Sequence, residues 1–410
     1  MKHMTLSDEL LWRGFIHQTT LSDIKKLDTQ KWTFYHGYDA SSDSLTVGNL
    51  AAVMMDKVFM RHGHRAILLA GGATSLIGDP GGKDAERPLQ PENVVEDNVA
   101  AVRRQVEGLL GNNATMVNNL DWFHRMNVLD FLRDVGKHFS MTPLVQRDYI
   151  ARRIGPSGAG ITYTEFSYTL LQGYDYLELQ RKYGVNLQLA GSDQWGNSLS
   201  GVDLVRRVTG KEVHVVTCPL VINKSTGRKF GKSEDGAIWL DPQKTSVFAF
   251  YQFWLNSSDE DVGDYLKIFT ELDKPSVDAT LAAFKKDRGA RSAQYVLAYE
   301  VTKLVHGTQE ADTAVKITKV LFGSEDFLGL SDNEKKALTK ELPTVKAKGG
   351  FVHTLVSASI AMSNSEALRL IKSGAISLNG KKVSDASEVS FVKGHNLLKR
   401  GKNSFTIVLG

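Results

Sequence analysis

The chain has 410 residues, 42% of them hydrophobic and 23% charged, with a formal net charge of +4. This length allows several buried cores and predicts two to four domains of roughly 100–200 residues each. No apolar run approaches the roughly 20 residues that a membrane-spanning helix needs, so we expect a soluble protein without membrane contact.

The N-terminus and the cysteine content indicate where the protein works. Residues 1–9 carry acidic side chains and no apolar signal segment, which predicts a cytoplasmic location. Cys218, the only cysteine, has no partner for a disulfide and no neighbouring Cys/His cluster for zinc. We interpret it as a small buried residue, and we expect no tightly bound metal held by protein ligands.

Short apolar runs alternate with longer amphipathic segments through the first two hundred residues, which predicts a parallel sheet wrapped by helices. The runs are 33–35, 66–70, 186–190 and 214–216. Clusters of Gly or Asp follow three of them, at 37–39, 71–73 and 191–193. In open α/β sheets ligands bind beyond the carboxyl ends of the strands, so these clusters predict the site.

Two segments have features of a site for nucleotide phosphates. Residues 45–50 follow a Ser/Asp-rich turn and open a predicted helix, whose backbone N–H groups and dipole would face phosphates. Residues 228–233 place two lysines three apart around a glycine, in a polar loop that could fold over a polyphosphate. An ordinary surface loop is the alternative for the second segment.

Segment 163–175 predicts a helix with a polar face. Tyr168, Gln172 and Asp175 lie at i, i+4 and i+7, so they share one side and could line a pocket. A solvated helix face is the alternative. Segment 188–197 weakens that alternative, because its small residues mark a strand end where Asp193 could accept a hydrogen bond from a ribose hydroxyl.

The second half of the chain lacks the alternation of strands and helices and ends in a basic segment. Residues 246–324 predict helices, and the polar stretch 340–350, with Pro343 and a Gly-Gly pair, predicts a linker. The remaining segment has helical runs followed by strand-like residues 375–378 and 405–409. From residue 344 onward the sequence has ten Lys and Arg and three Asp and Glu, which gives this segment a net charge of +7. Since the whole chain has a net charge of +4, residues 1–343 have a net charge of 4 − 7 = −3. This excess suits a phosphate backbone, with a solvated basic face as the alternative.

These motifs occur in the order and approximate spacing of bacterial tyrosyl-tRNA synthetases, a class I family that the chain resembles over essentially its whole length. The similar strings are 35–39, 71–80 and 229–233, and segment 363–380 resembles an S4-type RNA-binding module. The resemblance implies an α/β protein with five parts. They are a Rossmann-type catalytic domain with a parallel sheet (1–226), a lysine signature loop and connector (227–244), an α-helical anticodon-side domain (245–339), a linker (340–350) and a small α+β S4-like RNA-binding domain (351–410).

The resemblance also implies a role for each matching residue. Tyr35 and Asp175 would bind the phenol of L-tyrosine, and Gln194 would orient its carboxylate. The α-amino group would be held by Asp79, Tyr168 and Gln172. The residues implied for ATP and the adenylate are His36, Gly37, Asp39, Gly48, Gly191, Asp193 and Lys232. The implied catalytic residues are Ser41, Thr46, Asn49, Lys229, Lys232 and Ser233, and the candidate RNA-binding residues are Arg369, Lys372, Lys381 and Lys382.

The sequence departs from the family at three places. The helix-start signature of the family has histidines where this chain has Thr46 and Asn49, which can donate hydrogen bonds but cannot carry an imidazolium charge. Ser41 stands where threonine is usual, and His36 stands at a ribose-facing position where other residue types are usual. The departures bear on the catalytic rate more than on the reaction.

The resemblance therefore predicts a tyrosine–tRNA ligase (EC 6.1.1.1) that uses ATP accompanied by Mg²⁺, transfers tyrosine to tRNA(Tyr) and forms a homodimer. Two alternatives stay open. One is a non-catalytic RNA-binding paralogue that kept the fold, and the other is a related ligase for tryptophan. Tyr35 with Asp175 argues against the second, because the pair offers an acceptor specific for a phenol.

Overall fold

The computed structural model describes residues 4–79, 88–111, 113–156, 158–224, 227, 230–233, 236–323 and 325–410. The described helices are α1 (Leu6–Arg13), α2 (Val47–Arg61), α3 (Gly72–Ile77), α4 (Glu92–Leu110), α5 (Leu120–Phe123), α6 (Val128–Asp134), α7 (Met141–Val145), α8 (Asp148–Ile154), α9 (Tyr163–Tyr183), α10 (Trp195–Thr209), α11 (Val247–Leu255), α12 (Val262–Phe269), α13 (Lys274–Lys286), α14 (Ser292–His306), α15 (Thr308–Phe322), α16 (Asp332–Glu341), α17 (Phe351–Ser357) and α18 (Asn364–Lys372).

The described strands form three sheets in two compact units, one comprising Met1–Lys244 with Ser257–Leu297 and the other Thr245–Asn256 with Ala298–Gly410. The strands are β1 (Gln18–Thr19), β2 (Thr33–Tyr38), β3 (Arg65–Ala70), β4 (Thr115–Asn118), β5 (Leu187–Gly191), β6 (His214–Cys218), β7 (Lys232–Ser233), β8 (Gly236–Ala237), β9 (Thr344–Lys346), β10 (Ile376–Leu378), β11 (Lys381–Lys382), β12 (His395–Arg400) and β13 (Ser404–Leu409).

The first unit is built on a six-stranded sheet with the order β1-β6-β5-β2-β3-β4. All neighbouring strands are parallel except the short β1, which runs antiparallel to β6. The four predicted strands are confirmed as β2, β3, β5 and β6. Because the order along the sheet reverses between β2 and β5, a crevice opens at the carboxyl ends of these strands, where open α/β sheets bind ligands.

Helix α9 confirms the prediction for segment 163–175 and extends it to Tyr183. Its first turn is closed by a capping box, in which Thr162 and Glu165 exchange side-chain and backbone hydrogen bonds. The buried Glu165 carboxylate also accepts hydrogen bonds from both terminal nitrogens of Arg153, at 2.5 and 2.9 Å. Gly184, with φ of +70°, ends the helix in the left-handed conformation that glycine adopts without strain. These local signals hold the helix that carries the predicted polar face.

The second unit combines helices with a five-stranded sheet of order β11-β10-β12-β13-β9. The predicted strands at 375–378 and 405–409 are confirmed. Strand β9 lies inside the segment expected to be a linker and pairs in parallel with β13. Helices α15 and α16 share one apolar core with β12 and β13, which includes Ile317, Leu338, Leu397 and Phe405. The predicted five-part division into domains stays a prediction beside this two-unit organisation.

In the part of the chain that the structure describes, no helix is both long enough and apolar enough to span a membrane.

Candidate active site

A cavity of about 510 Å³ lies at the carboxyl ends of β2 and β5 in the first unit. The predicted site residues that line it are Tyr35, His36, Gly37, Asp39, Thr46, Gly48, Asn49, Asp79, Tyr168, Gln172, Asp175, Gly191, Asp193 and Gln194. They belong to segments that are far apart in the sequence. The fold therefore brings the predicted amino-acid and nucleotide residues into one cavity.

Asp175 on α9 is a buried carboxyl group held by two donors that follow β4. Trp122 Nε1 donates to its Oδ1 at 2.9 Å, and Asn119 Nδ2 donates to its Oδ2 at 3.2 Å. Burial raises the pKa of Asp175 to about 8, and the two hydrogen bonds act in the opposite direction. The cavity thus contains a desolvated acceptor in a defined orientation.

Three polar atoms of residues that line the same cavity are buried without a hydrogen-bond partner among the described residues. They are the hydroxyl of Tyr35 and the Oε1 atoms of Gln172 and Gln188. The Tyr35 ring packs edge-on against Tyr176, with ring centroids 4.9 Å apart. Burial raises the pKa of Tyr35 well above its usual value, so its hydroxyl stays protonated. An unpaired buried polar group costs free energy, and a ligand that pairs with it removes this cost.

Asp79 and Gln194 form a second polar pair in the cavity. Gln194 Nε2 donates to Asp79 Oδ2 at 2.7 Å, and Asn197 Nδ2 donates to Gln194 Oε1 at 3.2 Å. Asn197 is itself held through its Oδ1, which accepts from Thr169 at 2.8 Å and from Arg147 at 3.3 Å. These contacts set the orientation of the Gln194 amide beside the Asp79 carboxylate.

Protein groups already occupy most of the hydrogen-bonding groups at the start of α2. The backbone N–H and the hydroxyl of Thr46 both donate to Asn49 Oδ1 at 2.9 Å. The N–H of Val47 donates to the carbonyl of Ile238 at 3.0 Å, and that of Asn49 donates to the Thr46 carbonyl at 2.9 Å. In this structure the Thr46 hydroxyl, expected to donate to a phosphate, therefore donates to Asn49.

The predicted lysine signature contacts the start of α2 through Gly231. Gly231 has φ of +94°, and a Cβ atom there would lie 3.1 Å from the backbone nitrogen of Gly48, so the contact requires a glycine. Lys229 lies outside the described residues. Lys232 and Ser233 form β7, and their side chains lie outside the described part of the chain. The predicted action of these three residues on phosphate stays a prediction.

The remaining predicted nucleotide residues differ in their surroundings. Ser41 is exposed and is absent from the cavity lining, and its carbonyl accepts from Gln90 Nε2 at 3.1 Å. Asp39 Oδ1 accepts from the Ser75 hydroxyl at 2.9 Å. At Gly191 a Cβ atom would lie 2.6 Å from Asp193 Oδ1, so a larger residue there would displace that carboxylate.

Sequence reasoning missed three residues of this site. Asn119 and Trp122 hold Asp175, and Gln188 lines the cavity from the middle of β5. A polar residue inside an apolar strand was a readable signal for Gln188. The other two follow β4, a strand that the sequence pattern did not predict, so nothing placed them near α9.

The candidate RNA-binding residues lie in the second unit. Arg369 and Lys372 occupy the last turn of α18, and Lys381 with Lys382 forms the edge strand β11. All four side chains are exposed. Their charges are therefore accessible to a polyanion, and their binding of RNA stays a prediction.

Two protein-family models match the chain. Residues 27–323 match the family described as tRNA synthetases class I (W and Y), and residues 334–408 match the Tyrosine--tRNA ligase SYY-like C-terminal domain. The chain belongs to the class I tRNA synthetases.

Similar proteins with the same kind of name align with this chain over nearly its full length. A "Tyrosine--tRNA ligase" of Chromobacterium violaceum is 43% identical over 100% of this chain and 99% of its own. A "Tyrosine--tRNA ligase 2" of Bacillus cereus is 44% identical over 99% of both chains. Among solved structures, a C-terminally truncated mitochondrial tyrosyl-tRNA synthetase of Aspergillus nidulans is similar with a TM-score of 0.68 and 30% identity, over 76% of this chain and 93% of that one.

Proposed function

We propose that this class I synthetase is a tyrosine–tRNA ligase. It activates tyrosine with ATP to tyrosyl-adenylate, releases pyrophosphate, and then transfers tyrosine to the 3′ end of tRNA(Tyr). The observation that carries the proposal is the buried carboxyl group of Asp175 in the same cavity as the Tyr35 hydroxyl, which has no hydrogen-bond partner among the described residues. Family membership and the printed names of the similar proteins support it.

The chemistry of this pair favours a phenol over an indole. A phenol O–H donates to Asp175 and its oxygen accepts from the Tyr35 hydroxyl, so both protein groups are paired. An indole N–H only donates, which would leave the Tyr35 proton buried and unpaired. This difference supports tyrosine rather than tryptophan as the substrate.

The other end of tyrosine meets groups of matching charge. The ammonium group would be held by Asp79, Tyr168 and Gln172, which supply a carboxylate and neutral acceptors. Gln194, whose amide is oriented by Asn197, would direct the reacting carboxylate. Preorganised contacts of this kind lower the entropy cost of bringing two reactants together.

ATP would occupy the part of the cavity between β2, β5 and the start of α2. The residues proposed for its adenosine and phosphates are His36, Gly37, Asp39, Gly48, Gly191 and Asp193. Lys229, Lys232 and Ser233 would act on the phosphates together with Thr46, Asn49 and Ser41. The described residues contain no group of three His, Cys, Asp or Glu that could hold a metal ion, so Mg²⁺ would enter as part of the MgATP substrate.

The proposed reaction is an in-line attack of the tyrosine carboxylate on the α-phosphorus of ATP, with pyrophosphate as the leaving group. A terminal hydroxyl of the tRNA ribose then attacks the carbonyl carbon of the adenylate, and AMP leaves. The protein positions the reactants and stabilises the charge that develops, so no covalent enzyme intermediate is needed.

Pyrophosphate exchange tests this function directly. Labelled pyrophosphate should enter ATP when tyrosine is supplied and should not when tryptophan replaces it. Exchange that depends on tryptophan would establish the second alternative. Absence of exchange with either amino acid, across magnesium and tRNA concentrations, would favour the non-catalytic RNA-binding paralogue.

Binding of tRNA through the basic residues of the second unit is part of the same proposal. The charge-reversal pair Lys381→Glu with Lys382→Glu should weaken tRNA binding and reduce the slope of log K against log salt by about 1–2, because fewer counterions are released. Pyrophosphate exchange should stay unchanged. The matched control is Lys25→Glu with Lys26→Glu, an exposed lysine pair of the first unit that lies outside the predicted tRNA-binding segments. An equal loss of tRNA binding in both pairs would refute a site on β11.

We also propose a homodimer, with a cytoplasmic location. Large apolar side chains are exposed along one stretch of the first unit, at Val128, Leu129, Leu132, Met141, Ile154 and Tyr163. Contiguous exposed apolar residues are typical of surfaces that bind another protein, and a second copy is the partner that this family membership favours. Leu129→Asp should yield monomers in sedimentation velocity, whereas Leu11→Asp, an exposed position on α1, should leave dimers intact. A monomeric unmodified protein at micromolar concentration would refute the dimer.

A further inference from the structure

Asp56 is a buried acidic side chain that the reaction proposed above does not use. It lies on α2 among apolar residues, has no exposed surface and does not line the cavity. Both carboxylate oxygens are engaged, since Oδ1 lies 2.8 Å from His36 Nδ1 and Oδ2 accepts from the Tyr38 hydroxyl at 2.5 Å. Burial of an acid costs free energy, and these two hydrogen bonds offset part of that cost.

The two partners of Asp56 come from one strand. His36 and Tyr38 are two residues apart on β2, so both side chains point to the same face of the sheet, towards α2. Their rings pack with centroids 5.2 Å apart. A carboxylate can only accept hydrogen bonds, so the ring nitrogen that faces Asp56 must carry the proton. Asp56 thereby selects one tautomer of His36.

The other ring nitrogen of His36 belongs to the cavity side. His36 lines the cavity, and among the described residues its Nε2 has no hydrogen-bond partner. In the tautomer with the proton on Nδ1, this nitrogen is an acceptor. Phosphate oxygens cannot donate to it, whereas the hydroxyl groups of a ribose can.

We propose that Asp56 is a positioning residue for nucleotide binding, which holds His36 so that its Nε2 accepts a hydrogen bond from a ribose hydroxyl of ATP. The inference rests on the proposed function for the identity of the nucleotide. It goes beyond that function because it assigns a role to a side chain that touches no substrate. The same arrangement recurs where a second group orients a histidine by binding its other nitrogen.

The tautomer can be measured without any activity. In the unliganded full-length protein labelled with ¹⁵N-histidine, long-range ¹H–¹⁵N spectra at pH 8 should show one histidine protonated at Nδ1, and this signal should vanish in His36→Gln. In Asp56→Leu the same ring should move to the Nε2-protonated form or to a mixture. A signal for His36 that is protonated at Nε2 in the unmodified protein would overturn the inference.

Binding of ATP analogues tests the hydroxyl contact. The unmodified protein should bind either 2′-deoxy-ATP or 3′-deoxy-ATP about 3- to 10-fold more weakly than ATP, the range expected for one net hydrogen bond. This penalty should disappear in His36→Leu and shrink in Asp56→Leu. The nearly isosteric Asp56→Asn, whose amide oxygen can still accept from Nδ1 of His36, should keep most of it and guards against a folding defect. Tyr38→Phe, which keeps the contact between Asp56 and His36, should retain the penalty.

The outcomes separate this inference from the proposed function. A positioning role predicts a change for ATP analogues with little change in tyrosine binding, whereas a purely structural role of Asp56 would weaken both. An equal penalty for the deoxy analogues in the unmodified protein and in His36→Leu would overturn the inference, even when pyrophosphate exchange is normal. A penalty confined to an analogue without the adenine amino group would assign His36 to the base and would also overturn it.

Discussion

Replacement of Asp175 by alanine is the strongest test of the tyrosine pocket. The phenol hydroxyl of the substrate would keep donors nearby, from Tyr35, Asn119 and Trp122, but would lose its acceptor. At pH 9, above the pKa of about 8 that burial gives Asp175, the carboxylate is ionised, and a hydrogen bond to a charged group is worth about 1.5–3 kcal/mol. At about 1.4 kcal/mol for each factor of ten, kcat/KM for tyrosine should fall roughly 10- to 150-fold.

Phenylalanine serves as the internal reference for this variant. It has no hydroxyl, so Asp175→Ala should barely change its weak activation, and the preference for tyrosine over phenylalanine should fall by the same factor. The assay is pyrophosphate exchange with both amino acids. Trp122→Phe is the matched control, because it removes one donor to the carboxylate and keeps the acceptor, and its effect should be smaller. An unchanged preference in Asp175→Ala would show that the phenol binds elsewhere.

Three further predictions concern other side chains of the first unit. Thr46→Ala removes the hydrogen bond from the Thr46 hydroxyl to Asn49 and should lower the rate of adenylate formation with little change in the KM for tyrosine. The loss of transition-state stabilisation should stay below about 3–4 kcal/mol. Pre-steady-state measurements should show that Thr46→Ser restores the rate. Because burial raises the pKa of Asp175 to about 8 in the folded state, the folded protein holds an extra proton between pH 4 and 8, and its stability should fall as the pH rises through this window. Urea unfolding should show that fall in the unmodified protein and not in Asp175→Asn. Although burial acts to raise the pKa of Glu165, hydrogen bonds from Arg153 and Thr162 lower it overall, so this carboxylate contributes stability above its unfolded pKa and loses it as the pH falls. Glu165→Gln should therefore destabilise by about 3–5 kcal/mol at pH 7 and less at acidic pH, and equal unfolding curves at pH 7 would contradict the burial of this pair.

The parts of the fold that the sequence predicted are those with a strong periodic signal. Strands β2, β3, β5 and β6 are apolar runs buried on both faces, and α9 carries its capping box in its own sequence. Strand β4 is only partly buried along its length, so it has no apolar run to detect. Strand β9 is a polar segment whose pairing with β13 joins residues about sixty positions apart, and no local pattern encodes such a contact.

In the candidate site, too, residues with a local sequence signal were predicted and residues placed by long-range contacts were not. Residues with roles in a contiguous motif, such as Gln172 and Asp175, were found because one helix face displays them together. His36 was expected at the nucleotide, yet its partner Asp56 lies twenty positions away on another element. Asn119 was missed for the same reason, since it reaches Asp175 across a separation of 56 residues. Tertiary contacts between side chains remain the part of a site that a single sequence conceals.

The closed start of α2 has a consequence for how the nucleotide is held. The backbone N–H groups of Val47 and Asn49 both donate to protein carbonyls. Among the first three residues of the helix, Gly48 is therefore the only one whose N–H has no hydrogen-bond partner among the described residues. A helix end with a single open donor is a weak anion site, since the stabilisation of an anion there grows with the number of N–H groups that reach it. If ATP binds here as proposed, most of its phosphate charge would be balanced by cationic side chains and by Mg²⁺. Nucleotide affinity in this protein should consequently depend on ionic strength more steeply than that of a site built from backbone amides.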